Sequence, residues 1–331
     1  MIRREFLKLT ALLPLTRPAL AQAIPMSMRE FLAKLTYTRK EVDLFLDSKQ
    51  PNWARFDSEL GYLLRDGVLR DGVDNARTVL SFGTSGERKL VNYADRPCRL
   101  NSYGNSFTQG HQVSDGETWQ EYLAAHFGEP IRNFGIGGFG VYQAVLRMMR
   151  EEASTAAAGN LILNIWGLDD HFRSIDAWRW LRFGEGWRNR PEYLRMFHGN
   201  PWSHARLELK TGKLLELPNP FPTRESLYKL TDKERVYEHF RNDPIAKLIL
   251  AQRPGSAVNK EELASMAAAL GVPANLDSAS AAAETARAIH VEYALRVGML
   301  TLEKAWNFAQ AHNKKLIVLL SYDMNTPFSV V

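Results

Sequence analysis

An α/β fold, a parallel sheet with helices on both faces, is predicted by three features of this sequence. Short apolar runs alternate with amphipathic stretches from residue 99 onward. The runs at 161–166 and 316–320 are apolar at nearly every position, the pattern of strands covered on both sides. Polar or glycine-rich loops follow the carboxyl ends of the first three runs.

In order, Arg99-Leu100-Asn101-Ser102-Tyr103 reads as the first strand and runs into Gly104-Asn105-Ser106-Phe107-Thr108. Trp119, Tyr122, Leu123 and Phe127 recur at helical spacing, with Ser114 or Asp115 as the expected cap. Ile131 to Phe134 is a second strand, which enters the glycine turn Gly135 to Gly140, and Val141 to Glu152 follows as a helix. Leu161 to Trp166 is a third strand ending in Gly167-Leu168-Asp169-Asp170. The stretch 172–280 is far too long for a crossover and is predicted to form a subdomain or lid inserted between the third and fourth strands. Ala281 to His312 then forms a long helix leading to the fourth strand, Leu316 to Leu320. Residues 24–98 form a preamble, helical over Met28 to Leu46, with turns at Asp66-Gly67, Asp71-Gly72 and Ser85-Gly86. The α/β domain thus runs over 99–331.

Composition narrows the function. With 45% hydrophobic and 24% charged residues, the 331-residue chain can bury a large core. The single cysteine, Cys98, excludes an internal disulfide and a zinc ribbon. The net charge of +5 is concentrated in residues 1–23, and the 38 basic and 36 acidic residues beyond them leave only +2. Nucleic acid is therefore not an expected partner.

Residues 1–23 read as an export signal: Arg3-Arg4-Glu5-Phe6-Leu7-Lys8, a short apolar stretch Leu9 to Leu15 broken by Pro14, then Ala21-Gln22-Ala23. The apolar part is too short to span a bilayer, so no stable membrane span is expected. The arginine pair resembles a twin-arginine signal, with Ile2 where Ser or Thr is typical; an ordinary secretory signal is the alternative. Either predicts a periplasmic or extracellular protein.

The chemistry collects in the three loops. Ser106 opens a helix beside backbone N–H groups able to hold an oxyanion, and the turn Gly135 to Gly140 presents another N–H without side-chain obstruction. Such a set suits acyl transfer. Each part also has a plainer reading. Ser106 would serve as a helix cap; the glycine turn, as a phosphate cradle, lacks its partner Lys-Ser/Thr; Asp169-Asp170-His171, as metal ligands, lack a second cluster. No metal and no cofactor are expected.

Together the segments resemble the SGNH or GDSL hydrolase superfamily. Gly104-Asn105-Ser106-Phe107-Thr108 is similar to its first block, Asn133-Phe134-Gly135-Ile136-Gly137-Gly138 to its second, and Gly167-Leu168-Asp169-Asp170 stands in the place of its third, Gly-x-Asn-Asp. The resemblance implies a flavodoxin-like sheet, Ser106 as nucleophile, and the N–H groups of Ser106 and Gly138 as oxyanion donors. It also implies a general base in an Asp-x-x-His pair near the C-terminus, but no Asp here is followed by His three residues on. With Val331 eleven residues beyond Leu320, a final strand, helix and the pair are expected to be absent. His171 or His111 is then the substitute base, His171 first. Asn105 departs from the family's Asp, and Asp169 from the Asn that donates to the oxyanion; a carboxylate there repels the oxyanion unless protonated or turned away.

In the insertion, Trp178, Trp180, Trp187 and Trp202 alternate with arginines, either as a platform for a sugar ring or as the insertion's own core. His198 and His204 are expected at the surface or locally bonded. The expected activity is hydrolysis of carboxylic esters, in a small molecule or a polysaccharide, with acetylated carbohydrate favoured. The competing expectation is an inactive or truncated protein of the same fold that binds carbohydrate or a partner.

Overall fold

The computed structural model of the 331-residue chain describes residues 25–49, 53–70, 72–196 and 198–321. The export signal expected at 1–23 and the turn residue Asp71 lie outside the described residues. Helices α1 (Met28–Ala33) and α2 (Arg39–Leu46) each open on a capping box, Ser27 with Glu30 and Thr38 with Glu41. Two antiparallel hairpins follow, β1 (Ala54–Asp57) with β2 (Gly61–Leu64) and β3 (Gly67–Arg70) with β4 (Arg77–Leu80).

The alternating part then runs β5 (Leu100–Tyr103), α3 (Ser106–Gln109), α4 (Trp119–Phe127), β6 (Ile131–Asn133), α5 (Val141–Glu152), β7 (Asn160–Trp166) and α6 (Gly167–Ile175). Beyond it come α7 (Trp180–Trp187), α8 (Glu192–Arg195), the hairpin β8 (His204–Glu208) and β9 (Lys213–Leu217), then α9 (Lys233–Phe240), α10 (Pro244–Ala251) and α11 (Lys260–Leu270). The long α12 (Ala279–Ala311) leads to β10 (Lys315–Ser321).

Four strands form one parallel sheet in the order β10-β7-β5-β6. The first of the four in the chain thus lies between the second and third, a placing compatible with a flavodoxin-like fold. Register puts Tyr103 beside Leu163 and Leu161 beside Leu316. Tyr103, Leu161, Leu163 and Ile165 then share one face, covered by Val141, Val145 and Met148 of α5 and Ala305 of α12. On the other face α4 reaches the sheet through Gln120, which donates to Ser102 Oγ at 3.0 Å and to the Thr108 carbonyl at 2.8 Å. The edge strand β10 leaves Ile317 and Leu320 about half exposed.

The cap of α4 is Thr118, whose side chain accepts from Glu121 N–H, rather than Ser114 or Asp115. Both of those are engaged elsewhere: Ser114 Oγ accepts from Val79 N–H at 3.1 Å, and Asp115 pairs with Arg88 at 3.1 Å.

Preamble and inserted segment share a single core. Phe31, Leu35 and Tyr62 pack with Trp178, Trp202 and Phe240, and with Ile289 and Tyr293 of α12. Trp178, Trp180 and Trp202 are at most 1% exposed, so three of the four clustered tryptophans are core and only Trp187 reaches a cleft. Two of the three buried indoles are satisfied: Trp178 donates to the Gly199 carbonyl and Trp202 to that of Asp176, both at 2.6 Å, whereas the Trp180 N–H has no hydrogen-bond partner among the described residues.

Candidate active site

The carboxyl ends of β5 and β6 open onto a cleft of about 280 Å³ whose lining includes Ser106, Gly137, Gly138, His111 and His198. Ser106 reaches it because β5 ends in a tight turn. Gly104 takes φ +151°, and a Cβ there would lie 2.6 Å from the Asn164 carbonyl oxygen. Asn105 then caps α3, its Oδ1 accepting from Phe107 N–H at 2.9 Å, which sets Ser106 at the first helical position.

The segment carrying Ser106 is locked to the glycine turn. Ile136 N–H donates to the Gly104 carbonyl at 3.0 Å and Gly137 N–H to Gln109 Oε1 at 2.7 Å. At the far end of α3, the buried Arg88 guanidinium binds the carbonyls of Gln109, at 2.8 Å, and Gly110, at 2.6 Å. Tyr62, from the preamble hairpin, donates to the Gly137 carbonyl at 2.7 Å, and burial pushes its phenol up to about 12. Neither the Ser106 nor the Gly138 N–H is taken up by a backbone carbonyl among the described residues, which leaves both as donors for a ligand oxygen.

Asp169 and Asp170 part company at the start of α6. The Asp169 carboxylate turns to Arg173 and to Arg182 Nη1 at 2.8 Å; burial alone would raise it, but the two guanidinium groups hold it below the usual carboxylate range. It does not line the cleft. The repulsion expected from a carboxylate in the third-block position is thereby relieved by orientation.

Asp170 is buried, and its Oδ2 accepts from Trp166 N–H at 2.7 Å and from the Asn105 amide, while Arg173 reaches Oδ1 at 2.9 Å. Burial pushes this carboxyl up to about 6. The departure at Asn105 now has a physical reason, since an Asp there would set two carboxylates against each other. Asn105→Asp is expected to destabilise the chain by ~1–3 kcal/mol at pH 8. The loss should shrink at pH 5, where the carboxyl pair retains a proton. Denaturant midpoints of variant and parent at the two pH values check this.

His171 is not placed to serve as the base. It lies on α6 against α12, where a Cβ on Gly298 would fall 1.9 Å from its Nδ1, and burial lowers it to about 4. The amphipathic period of α6 decides this: Asp170, Arg173 and Ser174 are buried toward the sheet and the glycine turn, and His171 is turned to the neighbouring helix. His111 does line the cleft with Ser106.

His198 also lines it, contrary to its expected surface or local role, whereas His204 is buried in β8 with Nδ1 3.2 Å from the Trp202 carbonyl. Arg179 Nη1 stands 2.9 Å from His198 Nδ1. A guanidinium can only donate, so Nδ1 accepts and the ring proton resides on Nε2. Burial and the Arg179 charge hold this imidazole well below its ordinary value, hence neutral. His198 is thus fixed as an Nε2–H donor, the opposite tautomer from the one a general base acting through Nε2 needs.

Gln109, Arg88, Tyr62, Arg179 and His198 were not read as site residues from the sequence. Gln109 stands three residues after Ser106 on the same short helix, and Arg179 and His198 lie within the Trp- and Arg-rich stretch 178–202; Arg88 and Tyr62 come from segments with no motif. No family model, curated protein or solved structure matches this chain.

Proposed function

We propose that this chain is an exported serine hydrolase of the SGNH or GDSL type that cleaves carboxylic esters, with acetylated carbohydrate the favoured substrate class. The observation that carries the reading is the convergence of Ser106 and His111, from the connection after β5, and of Gly138, from the turn after β6, on one cleft at the carboxyl edge of the sheet. No described helix is long and apolar enough to cross a membrane.

In this reading Ser106 Oγ attacks the ester carbonyl as His111 takes its proton. The tetrahedral oxyanion is held by the Ser106 and Gly138 N–H groups. Collapse expels the alcohol, which takes the proton from His111, and leaves Ser106 acylated. Water, deprotonated by His111, then releases the acid and restores the hydroxyl.

The test is turnover of 4-nitrophenyl acetate by the purified chain, with mass-spectrometric location of the adduct after treatment with a fluorophosphonate. Label on Ser106 together with turnover supports the reading. Absence of both from a folded sample overturns it in favour of a binding module of the same fold. One feature favours that second reading: His198, which lines the cleft, is held by Arg179 in the tautomer that cannot accept a proton through Nε2.

A further inference from the structure

The cleft around Ser106 has a one-sided charge. Four arginines line it, Arg65, Arg173, Arg179 and Arg190, and no carboxylate stands among the described lining residues. Arg173 is already compensated by Asp169 and Asp170. The other three make no ion pair with a described residue, although other arginines of the chain pair readily, as Arg182 does with Asp169 and Asp176.

Arg179 is the most costly of them. Its side chain is 6% exposed, its guanidinium faces His198 on one side and the Phe183 ring at 5.0 Å on another, and its buried Nε has no hydrogen-bond partner. The nearby Asp169 charge is already shared by Arg173 and Arg182, and a buried cation with no contact ion pair is unfavourable unless something supplies an anion. Its place is also specific: a Cβ on Gly138 would lie 2.7 Å from Arg179 Nη1, so the charge sits beside the glycine whose N–H faces the reacting oxygen. At the rim Arg190 is spread over the Trp187 ring at 5.0 Å, and Trp187 itself lines the cleft. A focused positive field in a low-dielectric cleft selects ligands of opposite sign.

We propose that the ester bound here is anionic, carrying a carboxylate or phosphate that Arg179 and Arg190 engage, with the ring bearing it placed against Trp187. The inference deepens the reading of the cleft as an ester site. Guanidinium groups match either anion by paired N–H donation, so both belong to the proposed class.

Binding separates this inference from catalysis. Calorimetry on the full chain would compare 4-acetamidobenzoate, the uncharged 4-acetamidobenzamide and 4-acetamidophenyl phosphate, three acetamides without a carboxylic ester that serve as uncleaved analogues of aryl acetates. At least one anion is expected to bind ~10-fold or more tightly than the benzamide at low salt, the margin narrowing as salt rises. Whichever of the two leads identifies the acid. Arg179→Gln is expected to remove most of the margin; should that buried change prevent folding, Arg190→Gln at the rim is expected to reduce it several-fold. Equal affinity for the three, or a margin unchanged in Arg190→Gln and in a folded Arg179→Gln, overturns the proposal. The matching acetates, 4-acetoxybenzoate and its methyl ester, keep the two readings apart. Turnover of both at equal kcat/KM removes the anion preference and leaves the hydrolase standing, whereas charge-selective binding of the amides without turnover of either acetate leaves the anion site and removes the hydrolase.

Discussion

Ser106→Ala is expected to lower kcat for 4-nitrophenyl acetate by ~10³-fold or more while the unfolding free energy stays within ~0.5 kcal/mol of the parent. The size follows from the chemistry. Without Oγ no acyl-enzyme forms, and the remaining oxyanion donors can assist only direct attack by water. The small effect on stability follows from position, because Ser106 stands at the cleft wall and the cap of α3 is the Asn105 side chain rather than the Ser106 hydroxyl. Steady-state kinetics and a denaturant curve on the same preparation check both halves. Activity retained in Ser106→Ala would remove the serine from the mechanism.

Gly138→Ala is expected to lower kcat by ~10²–10³-fold, the range for losing one oxyanion donor, because the strained turn carries the N–H that alanine retains out of line, and to destabilise the chain by ~1–3 kcal/mol. Gly138 holds φ +93°, which an alanine adopts only with strain. The added Cβ would also fall 2.6 Å from the Tyr62 hydroxyl, 2.6 Å from His198 Nδ1 and 2.7 Å from Arg179 Nη1. Each of those groups must move, and Tyr62 would carry the Gly137 carbonyl with it. Gly186→Ala is the control, since a Cβ there meets nothing within 4 Å. Equal kcat in Gly138→Ala and Gly186→Ala would take Gly138 out of the oxyanion site.

Where local pattern and tertiary structure agree, the agreement has a simple source. Val141–Glu152 and the strands of the sheet were legible because burial imposes a period on the residues that make them. The cap of α4 was misjudged because three polar residues near its start compete for one role. Ser114 and Asp115 are claimed by β4 and Arg88, distant partners that no local window contains.

The sequence alone determined that a parallel sheet forms, and that its loops collect Ser106 and a glycine turn at one edge. These follow from periodicity and from glycine, which act within a few residues. Only the tertiary structure decided the rest: that Asp169 turns away to Arg173 and Arg182, that His171 packs against α12 while His111 and His198 line the cleft, and that Arg179 is buried there with no ion pair to a described residue. A side chain's charge, tautomer and direction depend on which distant segments exclude water around it, and that is a property of packing rather than of sequence order.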